Sequence, residues 1–151
     1  MVSYKDTWIY VLAAGILTII GLSTPSGSGD AFGGTLYVWW SSGVGYLAGG
    51  GNDLWYGGNA ATLWTFGIAA FCAGLLLFYG IHRFRGMDFK WDWLVYLLVG
   101  IALIIFPILM LVYDSVSGAI VGFGPIGVLI AGVLSIIAFV MDKFLGERGA
   151  A

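Results

Sequence analysis

The chain has 151 residues, of which 60% are hydrophobic and only 9% are charged, and its formal net charge is −2. Soluble domains carry roughly 25% charged residues, so this chain has too few to cover a water-facing surface and is predicted to be an integral membrane protein. The lack of a basic surplus argues against nucleic acid as a partner, because nucleic-acid binding needs a basic stripe.

Four apolar spans follow one another along the chain. Each contains about 15–23 mostly apolar residues, and a bilayer requires roughly 20 residues of helix. They predict a mainly α membrane protein, an antiparallel bundle of four transmembrane helices at about residues 8–23, 60–82, 92–113 and 120–141. The bundle forms a single domain, residues 1–151. A signal peptide is the alternative interpretation of the first span, which has a charged start and is followed by small residues.

The basic residues between these spans predict the topology. They cluster at Lys5, at residues 83–90 and at residues 143–148, whereas residues 24–59 contain no Lys or Arg. Short loops rich in Lys and Arg stay on the cytoplasmic side of a membrane. We therefore expect a multi-pass plasma-membrane protein with cytoplasmic N- and C-termini and an extracellular 24–59 loop.

The extracellular loop combines glycine with large aromatic residues. Eleven glycines in 36 residues would favour flexibility, but a disordered loop gains nothing from six large aromatic rings. Residues 35–40, 44–47 and 54–56 are rich in strand formers and are separated by turn clusters. The loop is therefore predicted to form a small antiparallel β-sheet with open edges. The predicted contact residues for a partner are Tyr37, Trp39, Trp40, Tyr46, Trp55 and Tyr56.

Three interpretations of these aromatic residues remain open. The aromatic residues can form an interfacial belt without a partner, mediate association with another copy, or capture a ligand such as a sugar or a cationic group. Small residues on the fourth helix also allow close packing, either within the bundle or between copies. These helix-packing residues are Gly127, Ala131 and Ser135.

The pattern resembles the claudin-like group of tetraspan membrane proteins. The segment Leu36-Tyr37-Val38-Trp39-Trp40 is similar to that group's Gly-Leu-Trp motif, and the segment Gly21-Leu22-Ser23-Thr24-Pro25 precedes the loop. Pro107 in the third span is compatible with the same group. The resemblance implies a sheet in the first outer loop and a tendency to self-associate. The group's pair of loop cysteines is absent, so paracellular sealing and ion selectivity are not carried over.

No residue pattern indicates catalysis or a cofactor. The single histidine, His82, cannot supply converging metal ligands or a Ser-His-acid set. The single cysteine, Cys72, is expected to be a small apolar side chain. Carboxylates inside the spans, the usual mark of ion transport, are absent from the sequence-predicted span centres. We therefore expect no enzyme activity, no metal and no cofactor.

The favoured hypothesis is a non-enzymatic membrane protein that forms homo-oligomers through its extracellular sheet and organises membranes or cell contacts. One alternative is an oligomeric channel or pore subunit. Another is an accessory subunit of a larger membrane enzyme complex. The polar residues available to line a pore are Thr62, Thr65, Tyr96 and Ser135.

Overall fold

Most of the described chain is helical. The computed structural model describes residues 4–31, 33–39, 44–49, 54–56, 60–117 and 120–146. A 3₁₀ turn, Tyr4–Asp6, leads into the first helix, and a π-helical turn, Met141–Leu145, follows the last one. The helices are α1 (Thr7–Ser23), α2 (Ala60–Phe84), α3 (Asp92–Ser117) and α4 (Phe123–Val140).

Three helical segments in the described residues are long and apolar enough to cross a membrane. They are Trp64–Phe84, Asp92–Leu109 and Phe123–Leu145. The helix α1 is apolar but has 17 residues, which corresponds to about 25 Å of helix. These segments support the prediction of a mainly helical membrane protein that carries a small antiparallel sheet.

The sheet lies at one end of the helices. It contains four strands from the segment between α1 and α2 and one strand from the segment between α3 and α4. Its strands are β1 (Gly27–Ala31), β2 (Gly34–Trp39), β3 (Val44–Ala48), β4 (Leu54–Tyr56) and β5 (Ile120–Val121), in the order β4-β3-β2-β1-β5. All neighbouring strands are antiparallel. Gly33, which immediately precedes β2, has φ +81°, a conformation that glycine adopts without steric cost.

The sheet is larger than the three strands predicted from the sequence. Strand β1, with the sequence GSGDA, lacks strand-forming side chains and is held by backbone pairing to β2. Strand β5 pairs with β1, so residues 120 and 121 belong to the sheet and not to the fourth helix. The fourth helix, predicted to begin at about residue 120, begins at Phe123 in the structure.

The helices approach each other closely at glycines. The helix α1 packs against α2 and α4, and α4 also packs against α3. A Cβ atom on Gly124 of α4 would lie 2.9 Å from the Thr24 carbonyl oxygen and 3.0 Å from that of Gly21. Because these atoms belong to the backbone, only glycine allows this contact between α1 and α4.

Backbone hydrogen bonds join the start of α4 to the segment that leads from α1 into the sheet. The Gly122 N–H donates to the Ser26 carbonyl at 2.6 Å, and the Gly124 N–H donates to the Pro25 carbonyl at 3.3 Å. The start of α4 is thus tied to the segment between α1 and β1. The end of the helices at which the sheet lies is called the sheet end. The other end, where α1 and α3 begin and α2 and α4 finish, is called the Arg83 end.

Candidate functional site

Strand register places four aromatic residues on one face of the sheet. Tyr37 lies opposite Tyr46, and Tyr46 lies opposite Trp55. Trp39 is two residues beyond Tyr37 on β2 and therefore points to the same side, since side chains alternate along a strand. We call Tyr37, Trp39, Tyr46 and Trp55 the aromatic face.

Within the aromatic face, the Trp55 ring contacts the rings of both Trp39 and Tyr46. The ring centroids of Trp39 and Trp55 are 5.8 Å apart with an interplanar angle of 29°, and those of Tyr46 and Trp55 are 4.7 Å apart. Trp55 nevertheless remains 66% exposed, and Tyr37 is 37% exposed. The ring that joins the other two, Trp55 on the edge strand β4, is thus largely open to the surroundings.

The aromatic face is anchored to the end of α1. The Trp39 indole Nε1–H donates to the Ser23 carbonyl at 2.9 Å. The Ser26 hydroxyl donates to the Val38 carbonyl at 2.7 Å, so the last two residues of β2 are both bonded to the segment that runs from the end of α1 to β1. These bonds fix the position of the aromatic face relative to the helices.

Two of the six predicted aromatic contact residues are not part of this face as described. Tyr56 pairs with Gly45 in the β3–β4 ladder, and its side chain lies outside the described set. Trp40 lies outside the described residues altogether. The structure therefore brings together four of the six residues.

The small residues predicted to pack helices all lie in the interior. Gly127, Ala131 and Ser135 are buried along α4. The Ser135 hydroxyl donates to the Tyr96 carbonyl of α3 at 2.8 Å. At Ser135, this stripe therefore contacts a neighbouring helix of the same chain. The pore-lining hypothesis also named Ser135 and Tyr96, and both are buried between α3 and α4.

A buried arginine at the Arg83 end contacts three carboxylates. The closest contact joins the Arg83 guanidinium to Asp142 Oδ1 at 2.5 Å, and the contacts to Asp88 Oδ1 and Asp92 Oδ2 are each 3.6 Å. The Asp92 side chain is only 1% exposed, whereas that of Asp88 is 65% exposed. The arginine thereby links the end of α2 to the start of α3 and to the π-helical turn after α4.

The network continues into the protein from Asp92. Its Oδ2 accepts a hydrogen bond from the Phe89 N–H at 3.1 Å. Its Oδ1 and the Tyr96 hydroxyl are buried and have no hydrogen-bond partner among the residues that the structure describes. Asp92 and Tyr96 are one helical turn apart on α3. Their buried polar atoms therefore form one region at the Arg83 end.

Sequence reasoning missed this network and treated Arg83 only as a topology signal. The sequence contained a usable indication: Arg83 ends the second apolar span, Asp92 begins the third and Asp142 ends the fourth. In an antiparallel arrangement these three positions reach the same end of the helices. Opposite charges at such positions have a high cost of burial unless they pair.

The single histidine lies among aromatic rings near the Arg83 end. The His82 ring centroid is 4.1 Å from that of Phe78 and 5.5 Å from that of Phe89, and its Nδ1 is 3.1 Å from the Phe78 carbonyl oxygen. Within the described residues, no three His, Cys, Asp or Glu side chains are grouped so that they could hold a metal ion.

Comparisons with known proteins give no match. No family model describes the chain, and no curated protein or solved structure is significantly similar to it.

Proposed function

We propose that this chain is a non-enzymatic integral membrane protein that associates with further copies of itself through the aromatic face. In this proposal, the four helices cross the membrane as an antiparallel bundle, the sheet lies outside the cell and both termini are cytoplasmic. Its role is to organise membranes or cell contacts. The observation that carries the proposal is that Trp55 packs against two other aromatic rings and is nevertheless largely exposed.

The chemistry of the aromatic face supports a protein partner. Tryptophan and tyrosine are enriched at protein interfaces because they bury a large area and retain a polar group. Trp55 already contacts both Trp39 and Tyr46, so less side-chain entropy is lost on binding than for isolated rings. A preordered aromatic surface therefore supports association at a modest entropic cost.

A second copy is the partner that fits this surface best. The described strands β2, β3 and β4 contain no charged residue, so the face offers no ion pairs by which to recognise a charged partner. A membrane would hold every copy with its sheet at the same height and on the same side. Identical faces could therefore meet around a two-fold axis, as in most homodimers.

The test compares two exposed tryptophans. Trp55→Ala removes the ring that contacts both Trp39 and Tyr46, whereas Trp91→Ala removes a ring that is 58% exposed near the Arg83 end. We expect Trp55→Ala to weaken association by at least about 30-fold, the loss typical of a hot-spot residue of about 2 kcal/mol. Trp91→Ala should leave association unchanged.

Association would be measured by single-molecule photobleaching of labelled protein in lipid vesicles over a range of protein-to-lipid ratios. A shift from oligomers to monomers in Trp55→Ala alone supports the proposal. Equal oligomer distributions for the wild type and Trp55→Ala would contradict it, as would a monomeric wild type.

A further inference from the structure

A cavity of about 310 Å³ opens at the Arg83 end. It lies between the first turn of α1, the end of α2 and the loop that follows α2. Ligand pockets have volumes of roughly 300–1,000 Å³, so this cavity suits a small polar group and not a whole lipid or a large cofactor. Its lining residues are Lys5, Trp8, Arg83, Phe84, Gly86 and Asp88.

The cavity presents both signs of charge. Lys5 and Arg83 are cationic, and Asp88 is anionic. The Arg83 Nε is 3.6 Å from Asp88 Oδ1, which is too long for a hydrogen bond. The Arg83 Nε–H can therefore donate a hydrogen bond to a ligand, and Asp88 Oδ1 can accept one.

Aromatic side chains form the remaining wall. The rings of Trp8 and Phe84 meet edge to face with their centroids 4.9 Å apart. Phe84 is the last residue of a segment long and apolar enough to cross a membrane. Tryptophan beside such a position is typical of the depth at which lipid headgroups lie.

The balance of charge excludes a purely anionic ligand as the best fit. Arg83 is in contact with Asp142 and Asp92 as well as with Asp88, so its positive charge is largely compensated. An anion in the cavity would also meet the Asp88 carboxylate. A ligand with a phosphate and an ammonium group would instead place each charge opposite a group of the other sign.

We propose that this cavity binds the headgroup of a phospholipid that carries a primary ammonium group, such as phosphatidylethanolamine. The phosphate accepts hydrogen bonds from Lys5 and Arg83, and the ammonium donates to the Asp88 carboxylate. The Trp8 and Phe84 rings cover the apolar part of the headgroup and the start of the acyl chains. This proposal does not depend on self-association.

Phosphatidylcholine and phosphatidylglycerol provide the chemical controls. The quaternary ammonium of phosphatidylcholine has no N–H to donate to Asp88, and phosphatidylglycerol has no ammonium group. The full-length protein would be incubated in detergent with equal amounts of the three lipids with matched acyl chains. Native mass spectrometry would then identify which lipid is bound in complexes that contain one lipid molecule. We expect phosphatidylethanolamine to be enriched about fivefold over each competitor, the effect of one charge-assisted contact at a partly exposed site.

Two variants test the assigned contacts. Asp88→Asn should reduce the enrichment over phosphatidylglycerol to less than about twofold, since the carboxylate charge is lost. Lys5→Gln should lower retention of all three phospholipids, because each carries a phosphate. Lys90→Gln, a change in the same loop as Asp88 but outside the cavity lining, should change neither result.

The outcomes separate the lipid from other occupants. Equal retention of the three lipids by the wild type, or an enrichment that survives Asp88→Asn, would overturn the proposal. A preference for phosphatidylglycerol would overturn it in favour of an anion site. Retention of phosphatidylethanolamine against excess soluble phosphoethanolamine supports the lipid as the occupant, whereas its displacement at equal concentration would assign the site to the soluble compound.

Discussion

Arg83 and Asp142 meet at 2.5 Å and join the end of α2 to the π-helical turn that follows α4. The Arg83 side chain is only 7% exposed, and the Asp142 side chain is 13% exposed. A charge buried to this extent is tolerated when it is paired, and removal of one partner leaves the other uncompensated. Breaking this pair is therefore expected to destabilise the protein more than breaking an exposed ion pair would.

Arg83→Met should destabilise the protein by about 3 kcal/mol, because Asp92 and Asp142 would lose their shared cation. Arg85→Met is the matched control, because Arg85 is exposed two residues further along the chain. The measurement is the free energy of unfolding in mixed micelles during a titration with denaturing detergent. Equal stabilities of the two variants would contradict the assigned role of Arg83.

Gly124→Ala should destabilise the contact between α1 and α4 by about 1–3 kcal/mol, the usual cost of overpacking. The added Cβ would lie within 3.2 Å of three carbonyl oxygens, those of Thr24, Gly21 and Pro25, none of which can rotate away. Gly74→Ala in α2 is the control, because a Cβ there meets no atom within 4 Å.

The two glycine variants should change the stability of the protein in different directions. Alanine is favoured over glycine in a helix by about 1 kcal/mol, so Gly74→Ala should be neutral or stabilising. The midpoint of thermal unfolding in detergent distinguishes the two. A Gly124→Ala midpoint equal to or above that of Gly74→Ala would show that α1 and α4 are not in the described contact.

Trp39→Phe should loosen the attachment of the sheet to α1. The substitution keeps an aromatic ring but removes the indole N–H that donates to Ser23. The loss of one hydrogen bond corresponds to about 1 kcal/mol, or about a fivefold decrease in protection. Amide hydrogen exchange of β2, measured by mass spectrometry, reports this change, and Trp64→Phe on the exposed side of α2 is the control. Unchanged protection in Trp39→Phe would show that the bond does not hold the sheet.

The predicted orientation can be measured by cysteine labelling. In a Cys72→Ala background, Asp30→Cys places a thiol on the sheet, and Met87→Cys places one in the loop after α2. An impermeant maleimide added to intact cells should label Asp30→Cys at once and Met87→Cys only after the membrane is permeabilised. The opposite pattern would reverse the topology and place the aromatic face in the cytoplasm.

The helices could be predicted from the sequence because each forms a long apolar run between polar segments. The structure places α2 at Ala60–Phe84 and α3 at Asp92–Ser117, starting where the apolar spans were predicted to begin. Strand β5 could not be predicted in this way. Two apolar residues next to a helix are indistinguishable from its first turn, and only their pairing with β1, more than 90 residues away in sequence, makes them a strand.

The aromatic face and the Arg83 network also differ in how far the sequence could predict them. Trp39, Tyr46 and Trp55 were indicated by composition, because aromatic rings in a glycine-rich loop are informative wherever the strands fall. Their shared face depends on strand register, which composition does not determine. The Arg83 network depends on three helix ends meeting in space, so its members are far apart in sequence and each taken alone is typical of an interfacial charge.

Self-association through the aromatic face is the central claim, and the oligomeric state of the purified protein in lipid nanodiscs tests it most directly. Nanodiscs large enough for several copies would be assembled at a low lipid ratio, and the mass of each particle would be measured for the wild type and for Trp55→Ala. The account predicts dimers or larger assemblies for the wild type and mainly single copies for Trp55→Ala. A wild-type protein that stays monomeric at every ratio would contradict it.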